Sequence, residues 1–358
     1  MTASHAPGPP VSGSYPQSFV SSPATICASR RRIAGDAVRH ARDFCRERFP
    51  DGPGFANGSR MTDLSRTLAA TADRITIALD AVLPRPQGPE ARLFSAMRYA
   101  ALGGGKRLRP FLTLEAGRLF EADETALLRT ACAIECVQTY SLVHDDLPCM
   151  DDDDLRRGQP TTHKAYDEAT ALLAGDALLT FAFELLADPQ THPDPKMRCL
   201  LVAGLAKAAG PTGMVAGQMI DMAPSAEDGG SDDLVTITRM NRLKTGALIG
   251  FSVEAGCLLG AASDDARQAL ARYAQDIGMA FQMVDDLLDV EASAEELGKG
   301  AGKDAAAGKV NFVTVLGADG ARARVRMLAD QAKAHLAVFG PRAGVLAALV
   351  DYIVERRR

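Results

Sequence analysis

From Met61 to the C-terminus, apolar residues return every three or four positions, and that period decides the fold class. The pattern runs through Leu68–Leu83, Leu93–Leu102, Leu127–Leu142, Ala165–Leu186, Met197–Ala209, Ile237–Leu259 and Ala266–Val290. Helical side chains repeat every 3.6 residues, so this spacing gathers apolar groups on one face for burial; a strand would need strict alternation, which is nearly absent. Ala, Leu, Arg, Glu and Met dominate, and all are strong helix formers. Breaks fall on Pro- or Gly-bearing stretches at Pro84–Pro89, Asp188–Pro195 and Pro224–Asp233. The segment Leu172–Leu186 is apolar on more than one side, which predicts a place at the centre of a bundle. The fold class is therefore all-α.

Residues 1–60 differ from the rest. Met1 to Ile33 lacks acidic residues, and Pro7, Pro9, Pro10, Pro16 and Pro23 preclude a regular helix. The segment is read as a disordered N-terminal extension or as lying upstream of a true start at Met61; proline content sets a transit peptide third. Residues 61–358 are read as one all-helical domain. The formal net charge is −5, which argues against a nucleic-acid binder. No uninterrupted apolar run approaches the roughly 18 residues of a membrane span. Seven cysteines without a Cys-x-x-Cys pair make neither a disulfide nor a zinc framework, so a reducing, cytoplasmic setting is expected.

The chemistry lies in two acidic clusters, each ending an apolar helix. The first runs from His144 and Asp145 through Asp146, Pro148 and Cys149 to Asp151–Asp154. The second is Asp285-Asp286-Leu287-Leu288-Asp289. Asp285 and Asp289 are i and i+4 and share one helix face. Asp145 and Asp151 are six apart and would not, but Pro148 disrupts the helix, and a break there could return Asp151 to Asp145. Carboxylates this dense repel and are costly to desolvate, so a cation must compensate. Mg²⁺ fits, because it binds through one or two carboxylates plus substrate phosphates. A solvated acidic helix end is the bland alternative for one cluster and a poor one for two. Basic partners stand nearby. Lys106 and Arg109 follow the glycine turn Gly103-Gly104-Gly105, Arg156 and Arg157 follow the first cluster, and Lys244, Thr245 and Lys299 bracket the second. A His-Asp phosphohydrolase would need further histidines at ligand spacing, and only His163 is near in sequence. Cys132 and Cys136 are read as core, and Asp176 as a structural carboxylate.

With GGGKRLRP, SLVHDDLPCMDDDDLRRGQPTTH, LAGDALL, KTGALI, FQMVDDLLDV and ELGKGAGKD, residues 61–358 resemble the trans-isoprenyl diphosphate synthases, and among them the bacterial-type farnesyl diphosphate synthases. The resemblance implies an isoprenoid synthase-type helical bundle around a deep central cavity, usually a homodimer. It implies Asp145, Asp151 and Asp285 as ligands of about three Mg²⁺ bridging an allylic diphosphate, with Asp146 and Asp289 supporting and Arg156 contacting that diphosphate. Lys106, Arg109 and Arg157 would bind isopentenyl diphosphate. So would Gln138, which stands where farnesyl synthases commonly carry histidine and cannot carry charge. Lys244, Thr245, Gln282 and Lys299 would line the allylic site. The C-terminal Arg356–Arg358 resembles a basic tail that closes over the homoallylic site. The implied reaction is ionisation of the allylic C–O bond, attack by the isopentenyl double bond, and proton loss. Tyr140 and Ser141 lie five and four residues before Asp145, about 6–7.5 Å down a helix. An aromatic there, with the insertion Pro148-Cys149, resembles synthases that stop at C15. The alternatives are a geranylgeranyl diphosphate synthase and a non-catalytic partner subunit. The latter would be expected to lack one acidic motif, and both are present.

Overall fold

The computed structural model describes residues 60–222, 233–296 and 311–356. Helices dominate: α1 (Arg60–Val82), α2 (Ala91–Leu102), α3 (Leu108–Arg118), α4 (Glu124–Asp145), the short α5 (Thr162–Ala165), α6 (Glu168–Ala187), α7 (Pro195–Ala209) and α8 (Met214–Asp221). Then come α9 (Leu234–Asn241), a π-helical turn (Arg242–Gly246), α10 (Ala247–Leu259), α11 (Asp264–Glu296), α12 (Phe312–Leu336), a 3₁₀ segment (Ala337–Ala343) and α13 (Gly344–Glu355). Strand pairing among the described residues is one small hairpin, Leu155–Arg156 against Gln159–Pro160. Its turn residues Arg157 and Gly158 both have positive φ (56° and 77°), as a two-residue type I′ connection demands. Helix starts are capped: the side chains of Asp123, Asp167, Asp194 and Asp233 each accept a hydrogen bond from a first-turn amide, and Asn311 forms a capping box with Thr314.

The core falls in two clusters joined along α3 and α10. Phe111, Leu112, Ile249, Val253 and Cys257 face the cluster built on α11, α12 and α13. Leu114, Leu248, Phe251 and Ala255 face the cluster built on α1, α2, α4, α6 and α7. Each helix therefore presents apolar residues on two faces to serve two cores. They meet closely at Gly256, where a Cβ would lie 2.5 Å from the Thr113 carbonyl oxygen. Residues 108–118, 214–221, 312–336 and 344–355 form helices outside the marked apolar segments; the first has its apolar run interrupted by Arg109, Glu115 and Arg118, and the second is only two turns long.

Two expectations need correction. Leu172–Leu186 is not central: α6 packs one face on α4 and leaves Leu172 and Leu173 46% and 57% exposed. The central position belongs to α4, whose residues 130–137 are all buried. An all-round apolar helix buries fully only if the fold surrounds it, and α6 lies at the edge. The expectation of no membrane span rested on uninterrupted apolar runs. By length and mean hydropathy alone, three stretches among the described residues reach that of a span: Glu168–Ala187, Pro195–Asp221 and Phe312–Glu355. The second is broken between α7 and α8 and the third at Ala337–Ala343, and all three pack on neighbouring helices.

Candidate active site

Helix α4 ends at Asp145, and the chain then doubles back. The Leu147 amide donates to the His144 carbonyl (3.1 Å), and the Asp151 amide donates to the Asp145 carbonyl (2.9 Å). The reversal after Asp145 therefore brings Asp151 beside Asp145, the return that a helix break around Pro148 was expected to allow. Burial, with Asp151 adding to it, pushes the Asp145 carboxyl up to about 6 against the pull of Lys244. Asp146 turns the other way. It is 2% exposed and accepts from Arg156 through Nε (2.6 Å) and Nη2 (2.5 Å). Its carboxylate thus anchors Arg156, which also reaches Asp153 (3.4 Å).

On α11, Asp285 is half-buried and Asp289 exposed, on one face. Burial also lifts the Asp285 carboxyl to about 6, opposed by Arg356. The Arg356 guanidinium donates to Asp285 Oδ1 (2.6 Å) and to the Phe281 carbonyl (2.8 Å), and lies 4.0 Å over the Phe281 ring. The first residue of the C-terminal arginine run is thus seated on the second acidic cluster, whereas the resemblance implied a lid over the other substrate; residues 357 and 358 lie outside the described residues. Asp286, unassigned by the sequence, is buried and accepts from Gln282 Nε2 (3.0 Å) and the Phe312 amide (2.9 Å), so it fixes Gln282 and the start of α12.

Between these walls runs the π-helical turn. Its wider winding displaces Lys244 and Thr245 from α-helical positions, a common device at functional sites. Lys244 Nζ donates to Asp221 Oδ2 (2.6 Å), and Thr245 Oγ1 to Gln282 Oε1 (3.3 Å). Gly217 permits this approach: a Cβ there would lie 2.1 Å from the Lys244 backbone nitrogen. Asp221 had no distinctive sequence signal beyond an acid ending a short apolar helix.

A hollow of about 720 Å³ opens beside the glycine turn, lined among others by Lys106, Arg109, Glu135, Gln138, Arg157 and Phe281. Arg109 is pushed down to about 10 by burial, and its Nε is buried without a partner. Lys106 is lowered by burial and by the Arg356 charge, with Asp285 opposing. Arg157 donates to the Gly104 carbonyl. Such a set of cationic donors suits a multiply charged anion. Tyr140 is 7% exposed below Asp145, edge-on to His144 at 5.4 Å, and burial and Asp145 raise its phenol. Ser141 is half-buried and donates to the Gln138 carbonyl (2.9 Å). His144 Nε2 lies 3.0 Å from the Leu172 carbonyl and 3.9 Å from Asp176, and no group of three or more His, Cys, Asp or Glu side chains draws together as a metal cage among the described residues. Cys132 and Cys136 are buried, and burial pushes the Cys132 thiol up to about 12, the behaviour of core residues. Lys299 lies outside the described residues.

The donor set fits magnesium rather than a metal held by protein alone. Each cluster offers two carboxylates, Asp145 with Asp151 near Lys244 and Arg156, and Asp285 with Asp289 near Arg356; none of the four lines the hollow beside the glycine turn. An octahedral ion would need phosphate and water to complete its shell, which is how Mg²⁺ is usually held.

Comparison with known proteins identifies the family and the fold. A polyprenyl synthetase family model matches residues 90–337. A farnesyl diphosphate synthase of Geobacillus stearothermophilus is 44% identical over 285 residues, covering 78% of this chain and 92% of its own. A chloroplastic geranylgeranyl pyrophosphate synthase of Catharanthus roseus is 43% identical over 303 residues, covering 84% and 83%. The crystal structure of an FPP/GFPP synthase from Zymomonas mobilis superposes with a TM-score of 0.74 at 47% identity, over 82% of this chain and 99% of that one. Motifs, helical architecture and relatives together make this chain a prenyltransferase of the polyprenyl synthetase family.

Proposed function

We propose that the chain is a farnesyl diphosphate synthase, joining isopentenyl diphosphate to dimethylallyl and then geranyl diphosphate to give (2E,6E)-farnesyl diphosphate. The observation that carries the product length is Tyr140, buried about 7.5 Å below Asp145 on α4. An aromatic ring at that depth would stop a growing chain. Geranylgeranyl diphosphate is the second reading, favoured by relatives of that name at nearly equal identity.

When bound, Mg²⁺ would supply positive charge to the leaving diphosphate; Asp145, Asp151, Asp285 and Asp289 are the residues that would hold it. The chain's own groups do the rest. Arg156, anchored by Asp146, and Lys244, anchored by Asp221, meet the allylic diphosphate and stabilise the charge that develops as it departs. Lys106, Arg109, Gln138 and Arg157 hold the isopentenyl diphosphate beside it. Thr245 and Gln282 present oxygen dipoles to an allylic cation. The apolar walls keep water from quenching it.

A second copy of the chain as partner is supported by Leu172 and Leu173, which α6 leaves exposed side by side. A reducing, cytoplasmic setting is supported by the free thiols of Cys132, Cys136 and Cys257 in the core.

Purified protein supplied with dimethylallyl diphosphate, isopentenyl diphosphate and Mg²⁺ should release C15 product on chromatography of the dephosphorylated mixture. Tyr140→Ala should shift products to C20 and beyond. An unchanged product length in the variant, or C20 from the parent, rejects the farnesyl reading; no condensation at all rejects the enzyme.

A further inference from the structure

The isopentenyl pocket contains a buried ion pair that the reaction scheme above does not use. Arg107 and Glu135 are each 3% exposed. Arg107 Nη1 donates to Glu135 Oε1 at 2.5 Å, and Nη2 donates to the Ala101 carbonyl at 2.5 Å. Arg107 also sits in the left-handed region (φ 47°, ψ 39°), separated by Lys106 from Gly104 and Gly105 at φ 84° and 124°. A non-glycine residue keeps that conformation only when its surroundings enforce it. Here the enforcement is the guanidinium, tied at one end to α4 and at the other to the end of α2. The turn so held carries Lys106 on one side of Arg107 and leads into α3 with Arg109 on the other.

Glu135 does more than close this pair. It lies one helical turn before Gln138 on α4, and both line the hollow with Lys106, Arg107, Arg109 and Arg157. Its charge favours the ionised forms of Arg109 and Arg157 as well. The four cations and one carboxylate leave the pocket with a net charge of +3. Arg157 lies across the turn itself: a Cβ at Gly105 would be 2.4 Å from the Arg157 guanidinium. Any change in the turn therefore moves three of the diphosphate-binding groups together.

We propose that Arg107 and Glu135 are positioning residues for the isopentenyl diphosphate, locking the glycine turn so that Lys106, Arg109 and Arg157 converge on one diphosphate. The inference rests on the substrate reading given above. The alternative is a pair that matters for folding alone, and a hydrophobic replacement separates the two. Exchanging a buried ion pair for apolar residues of similar size commonly preserves stability, whereas removing one partner strands a charge.

The double variant Arg107→Met/Glu135→Leu tests this. Its melting temperature should stay within a few degrees of the parent. Its KM for isopentenyl diphosphate should rise by at least tenfold, and calorimetric binding of isopentenyl diphosphate, without allylic substrate and so without turnover, should weaken by a similar factor. Its KM for geranyl diphosphate should stay within twofold. A folded double variant with both KM values within twofold of the parent overturns the proposal, and so does an equal rise in both. If the double variant does not fold, Glu135→Gln decides, since it keeps a hydrogen bond to Arg107 and removes the charge. Glu135→Gln should raise the isopentenyl diphosphate KM at least threefold with geranyl diphosphate unaffected; no change there overturns the proposal. A parent protein that binds neither diphosphate and makes no prenyl product would instead remove the substrate reading on which the inference stands.

Discussion

Replacing Arg356 with Ala should tighten divalent-cation binding. The Arg356 guanidinium lies on Asp285, with its side chain 4% exposed and that of Asp285 36% exposed. A ligand for the second acidic cluster must displace it. A hydrogen bond between charged groups contributes about 1.5–3 kcal/mol. Asp285 is about one-third exposed, so solvent screening puts this contact at the low end, near 1.5 kcal/mol. Removing the competitor therefore returns about 1.5 kcal/mol to cation binding, roughly a tenfold tighter Kd. The same Nη2 also donates to the Phe281 carbonyl, so a displacement that breaks that bond too makes tenfold the lower bound. The assay is titration with Mn²⁺ in the presence of inorganic pyrophosphate, reading free Mn²⁺ by electron paramagnetic resonance. Arg356→Lys keeps one positive charge without the planar fork and should fall between parent and Ala. An affinity within twofold of the parent, or weaker, refutes the argument that Arg356 competes for Asp285.

Two further outcomes follow from the same geometry. Asp145 and Asp285 are both lifted to about 6 by burial, above their ordinary value of 3.8. Their contribution to the stability of the cation-free fold is therefore intact below about pH 4 and is lost as pH rises through 6. Cation binding runs the other way. Each carboxyl must shed its proton to act as a ligand, so Mn²⁺ affinity should fall by about tenfold per pH unit per carboxylate below pH 6; a flat profile between pH 5 and 7 contradicts this. Asp221→Asn should leave the fold nearly intact but loosen Lys244, whose ammonium it holds at 2.6 Å. Because Lys244 is assigned to charge that develops on the leaving group, kcat should drop by about 100-fold, the low end for loss of one preorganised electrostatic contact, with little change in the isopentenyl diphosphate KM. Steady-state kinetics with geranyl diphosphate as the varied substrate decides it, and an unchanged kcat removes Asp221 from the machinery.

The apolar period located most helices because burial on a helix repeats every 3.6 residues, and the Pro- and Gly-bearing stretches marked breaks between them. The acidic motifs were readable for a similar reason. Their spacing, with Pro148 between, left room for Asp151 to fold back on Asp145, and the Asp151 amide bonded to the Asp145 carbonyl is that fold-back. What the period misjudged was position in the bundle. Leu172–Leu186 is more uniformly apolar than α4, yet α4 is central and α6 keeps Leu172 and Leu173 at the surface. Hydrophobicity states that a face wants cover, and only the packing states what covers it.

What the chain's order of residues determined was therefore local: which segments wind into helices, where they stop, and which carboxylates and cations stand at their ends. The tertiary structure alone decided the pairings that tune those groups. Arg156 with Asp146 is ten residues apart, but Lys244 with Asp221 is 23, Arg107 with Glu135 is 28, and Arg356 with Asp285 is 71. No periodic signal links residues so far apart, because hydrogen bonds and charge act through space and the helices that bring them together are placed by the shared core along α3 and α10.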